Sequence, residues 1–169
     1  MGAVYWITGL SGAGKTTIGK IVYGKLKERY PNTVFLDGDI LRQVFDEDLG
    51  YEKEDRRQCA MHYSRLCAML AEQGINVVCC TISMFHSVRQ WNRANIHNYR
   101  EIYIKVSWET LQKRDTKGIY GNLSYSDKSP LANQLGYEEP LQPDLTLQND
   151  GQISPEEQAQ AILSHIYRH

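Results

Sequence analysis

Short apolar runs alternate along the chain with longer segments in which apolar residues recur at helical spacing. The apolar runs predict β-strands over residues 4–8, 34–37, 75–82, 101–108 and 145–147. The run at 75–82 is almost continuously apolar, which is typical of a strand buried on both faces. Helical patterns lie between these runs, over residues 14–30, 40–46, 52–73, 88–98 and 109–115, with a last helix opening at Ser154-Pro155-Glu156-Glu157. The order predicts an α/β fold with a parallel sheet of about five strands and helices on both faces.

The regular pattern disappears between about residues 116 and 143, which we call the lid segment. Glycine, serine, asparagine and proline are frequent in it. A stretch of this length without regular structure in a compact domain is usually an active-site lid or a binding loop. Apart from this segment nothing divides the chain, so residues 1–169 are predicted to form a single domain.

The first strand is followed by Gly9-Leu10-Ser11-Gly12-Ala13-Gly14-Lys15-Thr16, which matches the phosphate-binding pattern G-x-x-x-x-G-K-[ST] in full. In such a loop the glycines allow the backbone N–H groups to surround a polyphosphate, and the following helix adds its positive end. Lys15 is expected to reach the β- and γ-phosphates, and the Thr16 hydroxyl to bind Mg²⁺. The pattern predicts a three-layer P-loop NTPase fold and ATP with Mg²⁺ as ligands, bound by Gly9, Ser11, Gly12, Ala13, Gly14, Lys15, Thr16 and Thr17.

Charged residues follow the second strand and open the lid segment. Asp37 and Asp39 are expected at the carboxyl edge of the sheet, where a carboxylate can orient Mg²⁺-bound water or accept a proton from an attacking hydroxyl. Asp39 could instead only cap the helix that starts near residue 40. Arg114 and Lys117, at the entrance of the lid segment, are predicted to neutralise charge on the transferring phosphoryl group.

The composition narrows the class of protein. A formal net charge of −1 over 169 residues does not favour a nucleic-acid or membrane-surface partner. No apolar run approaches the roughly 20 residues that span a bilayer, and the start of the chain reads as a strand and not as a signal peptide. Cys79 and Cys80 lie in an apolar run, which favours buried free thiols over a disulfide or a metal site. A cytoplasmic location is predicted.

Several strings beyond the phosphate-binding loop resemble the adenylylsulfate kinase family, over most of the chain. They are GLSGAGKTT (9–17), LDGD-x-x-R (36–42), DLGY-x-x-x-DR (48–56), the strand ending in Ile82-Ser83, and RD-x-KG-x-Y (114–120). Members of that family transfer the γ-phosphate of ATP to the ribose 3′-hydroxyl of adenosine 5′-phosphosulfate. The resemblance implies a substrate side that includes Asp39, Arg42, Tyr51, Arg56, Ile82, Ser83 and Lys117, with Asp39 as base or hydroxyl-orienting group. Together with the residues above, it predicts Lys15, Asp39 and Lys117 as catalytic and Arg114 as an ATP contact, and it adds Asp37 and Cys59 to the substrate side.

Three departures from the family pattern fall on the acceptor side of the predicted site. Cys59 stands where the family has an asparagine, and the family's S-P-Y-R reads Ser83-Met84-Phe85-His86 here, without the arginine. The lid signature G-F-T-G-I, whose phenylalanine stacks on the substrate adenine, is absent, although Tyr120, Tyr125 or Tyr137 could stack on a base. No departure touches the ATP side, which is the pattern expected of a changed acceptor.

Three functions therefore remain open. The chain is either an adenylylsulfate kinase with a divergent lid, or a relative that phosphorylates cytidine diphosphoramidate for a bacterial capsule phosphoramidate. A non-catalytic nucleotide switch is the third hypothesis, but no N-K-x-D signature supports it and the D-x-x-G match at 115–118 follows the fourth strand. In each case the partner is a small nucleotide, with neither nucleic acid nor membrane, and a homodimer is a further expectation.

Overall fold

The computed structural model describes residues 1–45, 47–115, 117–121 and 123–169. Its five strands form one parallel sheet in the order β2-β3-β1-β4-β5. At the centre, Trp6 of β1 pairs with Cys79 of β3 on one side and with Glu101 of β4 on the other. The strands are β1 (Ala3–Thr8), β2 (Thr33–Asp37), β3 (Asn76–Thr81), β4 (Asn98–Lys105) and β5 (Leu145–Gln148).

Helices cover both faces of the sheet, as predicted. They are α1 (Lys15–Arg29), α2 (Gly38–Phe45), α3 (Lys53–Glu72), α4 (His86–Asn95), α5 (Trp108–Lys113), α6 (Leu131–Gln134) and α7 (Pro155–Arg168). Alternate residues of β1 point to opposite faces. Ile7 packs in one core cluster with α1 and α7, whereas Trp6 packs in the other with α3 and α4. The predicted three-layer α/β fold is confirmed.

The boundary between α4 and β4 differs from the prediction. Residues 98–100 were expected in or just after a helix, yet they pair with residues 3–5 of β1 and begin β4. Hydrogen bonding to β1 thus extends the strand into a polar sequence. The local pattern of apolar residues cannot show such an extension. At the other end, Ser107 caps α5 by accepting a hydrogen bond from the backbone N–H of Thr110, so Trp108 belongs to a helix and not to the strand.

The helix ends read from the sequence are mostly confirmed. Ser154 caps α7 through a 3.1 Å hydrogen bond from the N–H of Glu157, with Pro155 at the first helical position. The helix expected over 52–73 is α3, and Gly74 follows it with a φ of 81°. The helix expected over 40–46 starts two residues earlier, at Gly38. Its predicted last residue, Asp46, lies outside the described residues.

Two parts of the lid segment, after residue 122, have different surroundings. All residues over 123–130 are exposed. The second part begins with the short helix α6, which corrects the expectation of no regular structure, and its Ala132 is buried. Residues 137–144 are held by hydrogen bonds from α4 and β4, including those from Arg89 to the carbonyl of Glu138 and from Arg93 to the carbonyl of Gln142. Thr116 and Asn122 lie outside the described residues.

The helices and the cysteines can be compared with what the composition predicted. Among the helices of the described residues, none is long and apolar enough to cross a membrane. Cys67, Cys79 and Cys80 are buried free thiols, in line with the apolar setting predicted for the last two, and Cys59 is buried as well.

Candidate active site

The phosphate-binding loop connects β1 to α1, as the sequence predicted. Gly12 and Gly14 have φ values of 87° and 95°, in the left-handed region that favours glycine. A Cβ atom at Gly14 would lie 2.6 Å from Nδ2 of Asn149, so this position is also restricted by space. The loop therefore needs glycine to curve tightly in front of the N-terminus of α1, where backbone N–H groups attract anions.

Lys15 is the first residue of α1, and its ammonium group donates a 2.8 Å hydrogen bond to the carbonyl of Leu10 in the loop. Burial lowers the pKa of Lys15 to about 8, although nearby Cys80, Asp39 and Asp37 partly offset this effect. A partly desolvated cation inside an anion-binding loop gains much from a bound polyphosphate. The side chain is thus arranged for the phosphate role predicted from the sequence.

Asp37 ends β2 next to Thr16. The Thr16 hydroxyl donates a 3.2 Å hydrogen bond to Oδ2 of Asp37, and Oδ1 of Asp37 accepts a 2.9 Å bond from the N–H of Asp39. Asp37 therefore caps the start of α2, so the alternative in which Asp39 serves only as the helix cap is not supported. A hydroxyl and a carboxylate oxygen side by side form a donor set that fits Mg²⁺, which prefers oxygen ligands together with phosphate and water.

Asp39 and Lys117 approach each other across the mouth of the site. Oδ2 of Asp39 lies 3.8 Å from Nζ of Lys117, with side-chain exposures of 81% and 63%. An exposed pair of this kind adds little to stability. Its position next to the phosphate-binding loop instead leaves both side chains available to a ligand.

A cavity of about 420 Å³ extends from the loop past this pair to two arginines. Arg42 projects from α2, and its guanidinium bonds the carbonyls of Leu49 (2.8 Å) and Gly50, contacts Sγ of Cys59 at 3.1 Å and lies 4.1 Å from the ring centroid of Tyr51. The protein itself thus fixes Arg42 against the walls of the cavity.

Arg56 has fewer partners. Its guanidinium lies 4.6 Å from the ring centroid of Tyr137, and its Nε is buried without a hydrogen-bond partner among the described residues. A buried donor that the protein leaves unpaired is costly, so it suits an anionic ligand entering the cavity.

The end of β3 supplies the floor of the cavity. The hydroxyl of Thr8 donates to the carbonyl of Ile82, and the hydroxyls of Thr81 and Ser83 are 2.7 Å apart. Ser83 has a φ of 37°, in the left-handed region that a non-glycine residue rarely adopts. Such conformations persist when surrounding contacts enforce them, and they cluster at functional sites.

A second cavity, of about 330 Å³, lies on the other side of the phosphate-binding loop. Nη1 of Arg114 donates a 3.3 Å bond to the carbonyl of Gly12, and Nδ2 of Asn149 donates a 2.7 Å bond to that of Ala13. The loop between β5 and α7, with Gly151 and Ile153, completes the lining. The phosphate-binding loop therefore separates two spaces, each of which can receive part of a ligand.

Comparison with known proteins identifies the family. The family model described as Adenylylsulphate kinase matches residues 1–148. The chain belongs to the adenylylsulfate kinase family. Like the kinases it resembles, it is an ATP-dependent phosphotransferase, which sets aside the hypothesis of a non-catalytic switch.

Individual relatives carry two different names. The chain is 35% identical over 164 residues to a cytidine diphosphoramidate kinase of Campylobacter jejuni, covering 96% of this chain and 95% of that protein. It is 36% identical over 169 residues to an adenylyl-sulfate kinase of Halothermothrix orenii, covering 98% and 89%. Among solved structures, the APS kinase of Mycobacterium tuberculosis in complex with AMPPNP and APS superposes with a TM-score of 0.80, at 31% identity and 98% coverage of both chains.

Most residues predicted for the site, from the phosphate-binding pattern or from family resemblance, do meet in one place. The larger cavity is lined by Ser11, Gly12, Gly14, Lys15, Thr16, Thr17, Asp37, Asp39, Arg42, Tyr51, Arg56, Cys59, Ile82, Ser83, Arg114 and Lys117. Gly9 and Ala13 are not among its lining residues. Ala13 is buried, and a Cβ atom at Gly9 would lie 2.5 Å from the carbonyl oxygen of Ile104, so both shape the loop from behind.

The cavity also has lining residues that the sequence analysis did not assign to the site. They are Gly38, Tyr63, Cys80, Thr81, Phe85, Asp115 and Ile119. Thr81 and Phe85 flank Ile82 and Ser83, so their place at the carboxyl edge of β3 was a usable signal. Asp115 accepts bonds from the N–H groups of Ile119 and Tyr120, each at 2.8 Å, and so shapes the entrance to the lid segment.

The three tyrosines of the lid segment have different positions. The hydroxyl of Tyr120 donates a 2.7 Å bond to the carbonyl of Ser11, while Tyr125 stacks on Trp108 at 5.5 Å between ring centroids. Only Tyr137 lies against Arg56, at the acceptor end of the cavity. His86, which replaces a family arginine, is not a lining residue and contacts Glu138 and Arg89 instead. Position 86 therefore contributes no side chain to the wall of the cavity in this protein.

Proposed function

We propose that this kinase transfers the γ-phosphoryl group of ATP to the ribose 3′-hydroxyl of a nucleotide that carries an anionic 5′ group. The observation that carries the proposal is the continuity of one cavity. Lys15 and Thr16 line its phosphate end, the Asp39–Lys117 pair its middle, and Arg56 its far end. A donor phosphate and an acceptor anion held at the two ends would bring a ribose hydroxyl close to Asp39.

On the donor side, the phosphates of ATP would lie in the loop in front of α1, with Lys15 against the β- and γ-phosphates. The second cavity, between Arg114 and the loop that holds Ile153, has room for the base. A guanidinium can stack on a purine ring. Because Arg114 also contacts the carbonyl of Gly12, it would link the base position to the phosphate-binding loop.

In the transfer step, Asp39 would orient the acceptor hydroxyl and accept its proton as the oxygen attacks the γ-phosphorus. The bond from that phosphorus to the bridging β–γ oxygen would break, and ADP would leave. Lys117, 3.8 Å from Asp39, can donate to the transferring phosphoryl group and restrain the Asp39 carboxylate. Thr16 and Asp37 are the residues that would hold Mg²⁺. When bound, Mg²⁺ neutralises charge on the phosphates.

Adenosine 5′-phosphosulfate is the first acceptor candidate, because it is the substrate that the family resemblance implies. Cytidine diphosphoramidate is the second, because a relative carries that name and the acceptor wall departs from the family pattern. In place of the family asparagine, Cys59 contacts Arg42 at 3.1 Å, and the aromatic residue at the far arginine is Tyr137 and not a phenylalanine of a G-F-T-G-I lid. If the second candidate is right, the protein acts in the synthesis of a capsule phosphoramidate.

Steady-state kinetics with both acceptors tests the proposal. ADP release is measured with ATP, Mg²⁺ and each nucleotide, and the position of the new phosphate is determined by NMR. A kcat/KM of about 10⁵ M⁻¹s⁻¹ or above for one compound would identify it as a substrate of ordinary efficiency. No phosphorylation of either nucleotide, with ATP bound normally, would refute both acceptor candidates.

The remaining partner predictions stay proposals. We propose that the small nucleotides are the ligands and that neither nucleic acid nor membrane is one, in keeping with a net charge of −1. A homodimer and a cytoplasmic location are also proposed. Light scattering of the purified protein and fractionation of the producing cells would test these two proposals directly.

A further inference from the structure

Arg89 is a buried arginine that the proposed reaction does not use. It lies on α4, its residue exposure is 5%, and it is not among the lining residues of either cavity. Burial of the guanidinium lowers the pKa of Arg89, which reflects the cost of keeping this charge away from water. A buried charge is costly unless hydrogen bonds or an opposite charge compensate for it.

The hydrogen bonds of Arg89 connect the start of α4 with the lid segment. Nη2 of Arg89 donates to the carbonyl of Glu138 at 2.6 Å and lies 2.7 Å from Nδ1 of His86, which must accept because a guanidinium only donates. The backbone N–H of His86 donates to Oε1 of Glu138 at 3.2 Å, and Nε2 of His86 lies 3.8 Å from Oε2. We call Arg89, His86 and Glu138 the latch.

The latch is directly adjacent in the chain to two walls of the acceptor cavity. Phe85 precedes His86, Tyr137 precedes Glu138, and their ring centroids are 5.9 Å apart. Both rings line the cavity, and the guanidinium of Arg56 lies over the ring of Tyr137. A backbone bond of 2.8 Å from the N–H of Glu138 to the carbonyl of Met84 reinforces the same connection.

The turn that the latch closes also contains the strained residue of the site. Ser83, three residues before His86, has a φ of 37° and lines the cavity. Since L-residues avoid this conformation, surrounding contacts must hold it. The bonds from the lid segment to Met84 and His86 supply such contacts on the far side of the turn.

We propose that Arg89 is a positioning residue for the acceptor: through the latch it sets the places of Phe85 and Tyr137, and thereby of Arg56. The inference rests on the proposed function, because it assumes that this end of the cavity binds the acceptor nucleotide. Arg89 acts through other residues, since it lines neither cavity. It therefore controls acceptor affinity and choice, and it leaves the ATP side unchanged.

The decisive variant is Arg89→Lys, which keeps the charge but has a shorter side chain, so that its ammonium group cannot reach both the Glu138 carbonyl and Nδ1 of His86 as Nη2 does. We expect KM for the acceptor to rise about tenfold or more, since small misplacements of positioning residues have effects of this size. KM for ATP should stay within about twofold. Unchanged acceptor KM in a folded variant would overturn the proposal.

A matched control lies one helical turn further along α4. Arg93 donates to the carbonyl of Gln142 at 2.8 Å and lies 3.4 Å from Asp144, so it also anchors the lid segment, but beyond the residues next to Tyr137. Arg93→Lys should lower stability without raising acceptor KM. If both variants raise it equally, Arg89 has only a general structural role. Glu138→Ala, which removes the side-chain contacts with His86 but keeps the carbonyl, serves if Arg89→Lys does not fold, and a smaller rise is expected.

Hydrogen exchange separates failure of this inference from failure of the proposed function. In the ligand-free protein, the amide of Glu138 should exchange about tenfold faster or more in Arg89→Lys, while amides of α1 do not change. That result holds whichever nucleotide is the acceptor. If the wild type phosphorylates neither nucleotide but this exchange effect is found, the proposed acceptor is wrong and the latch stands. If exchange at Glu138 is unchanged, the latch is refuted even when the kinase assay succeeds.

Discussion

Raising the pH through 8 should weaken nucleotide binding, because the protein holds Lys15 in a partly desolvated place. Burial lowers the pKa of Lys15 to about 8 in the ligand-free protein. A polyphosphate beside the ammonium group favours the charged form, so the pKa of Lys15 must rise when ADP binds. Below pH 8 the group is charged in both states, and binding involves no proton. Above pH 8 the free protein has lost the proton, and binding must take one up.

The magnitude follows from linkage. Each pH unit between the free and bound pKa values costs about 1.4 kcal/mol, so Kd for ADP should rise about tenfold per unit above pH 8. Isothermal titration calorimetry with ADP at pH 7, 8 and 9 measures Kd directly. Repeating the pH 9 titration in buffers of different ionisation enthalpy counts the protons, and we expect an uptake approaching one.

Lys15→Arg is the matched variant, since the guanidinium stays charged at all these pH values. It should bind ADP more weakly at pH 7 if its geometry is poorer, but with little change between pH 7 and 9. A wild-type Kd that is constant from pH 7 to 9, with no proton uptake, would contradict the reasoning. It would mean that the Lys15 ammonium is well stabilised before any phosphate arrives.

Four other outcomes are expected. Lys15→Met should abolish transfer and leave the ligand-free protein folded and at least as heat-stable by circular dichroism, because a partly buried charge is removed. Asp39→Asn should lower kcat by about 10² or more, because the carboxylate that accepts the proton is lost. ATP affinity and melting temperature should change little, since Asp37 caps α2 and Asp39 is exposed. A collapse of stability with kcat retained would contradict this prediction. Hydrogen exchange in residues 123–130 should slow when ADP and acceptor bind, because these residues are exposed in the ligand-free protein. Exchange in residues 137–144 should be slow with and without ligands, because α4 and β4 hold this part. Equal protection of residues 123–130 in both states would rule out a lid. Adenosine 5′-phosphosulfate should have a kcat/KM about one to two orders of magnitude below that of a well-matched acceptor, because stacking by the family's lid phenylalanine is missing. An ordinary value would mean that the departures do not affect choice of substrate.

Local signals in the sequence were sufficient to predict the fold and the geometry of the loop between β1 and α1. A complete phosphate-binding pattern between an apolar strand and a helix specifies its own geometry, since glycine conformations and helix amides are local properties. The alternation of strands and helices likewise predicted the parallel sheet, because parallel strands need crossover connections and these are mostly helical. The cap of α7 at Ser154 could also be predicted, because a helix cap depends only on residues a few positions apart.

Resemblance to a family extended the prediction to the acceptor end, but not to its contacts. Arg42 and Arg56 were both assigned to the substrate anion from matching motifs. The structure separates them: Arg42 is bonded to the carbonyls of residues 49 and 50, while Arg56 keeps a buried Nε without a partner among the described residues. Similarly, the sequence analysis interpreted His86, which stands where the family has an arginine, as the loss of a charge near the acceptor. In the structure, His86 contacts Glu138 and Arg89.

The sequence alone determined the structures that depend on residues close together in the chain: the strands and helices, the helix caps and the phosphate-binding loop. Only the tertiary structure decided the contacts between residues that lie far apart in the chain. The latch joins residues separated by about 50 positions, and β4 begins at Asn98 only because β1 pairs with it. The physical reason is that a hydrogen bond between distant segments depends on how the helices and the lid segment pack around the sheet. No local pattern records that packing, and in this kinase it shapes the end of the cavity proposed to select the acceptor.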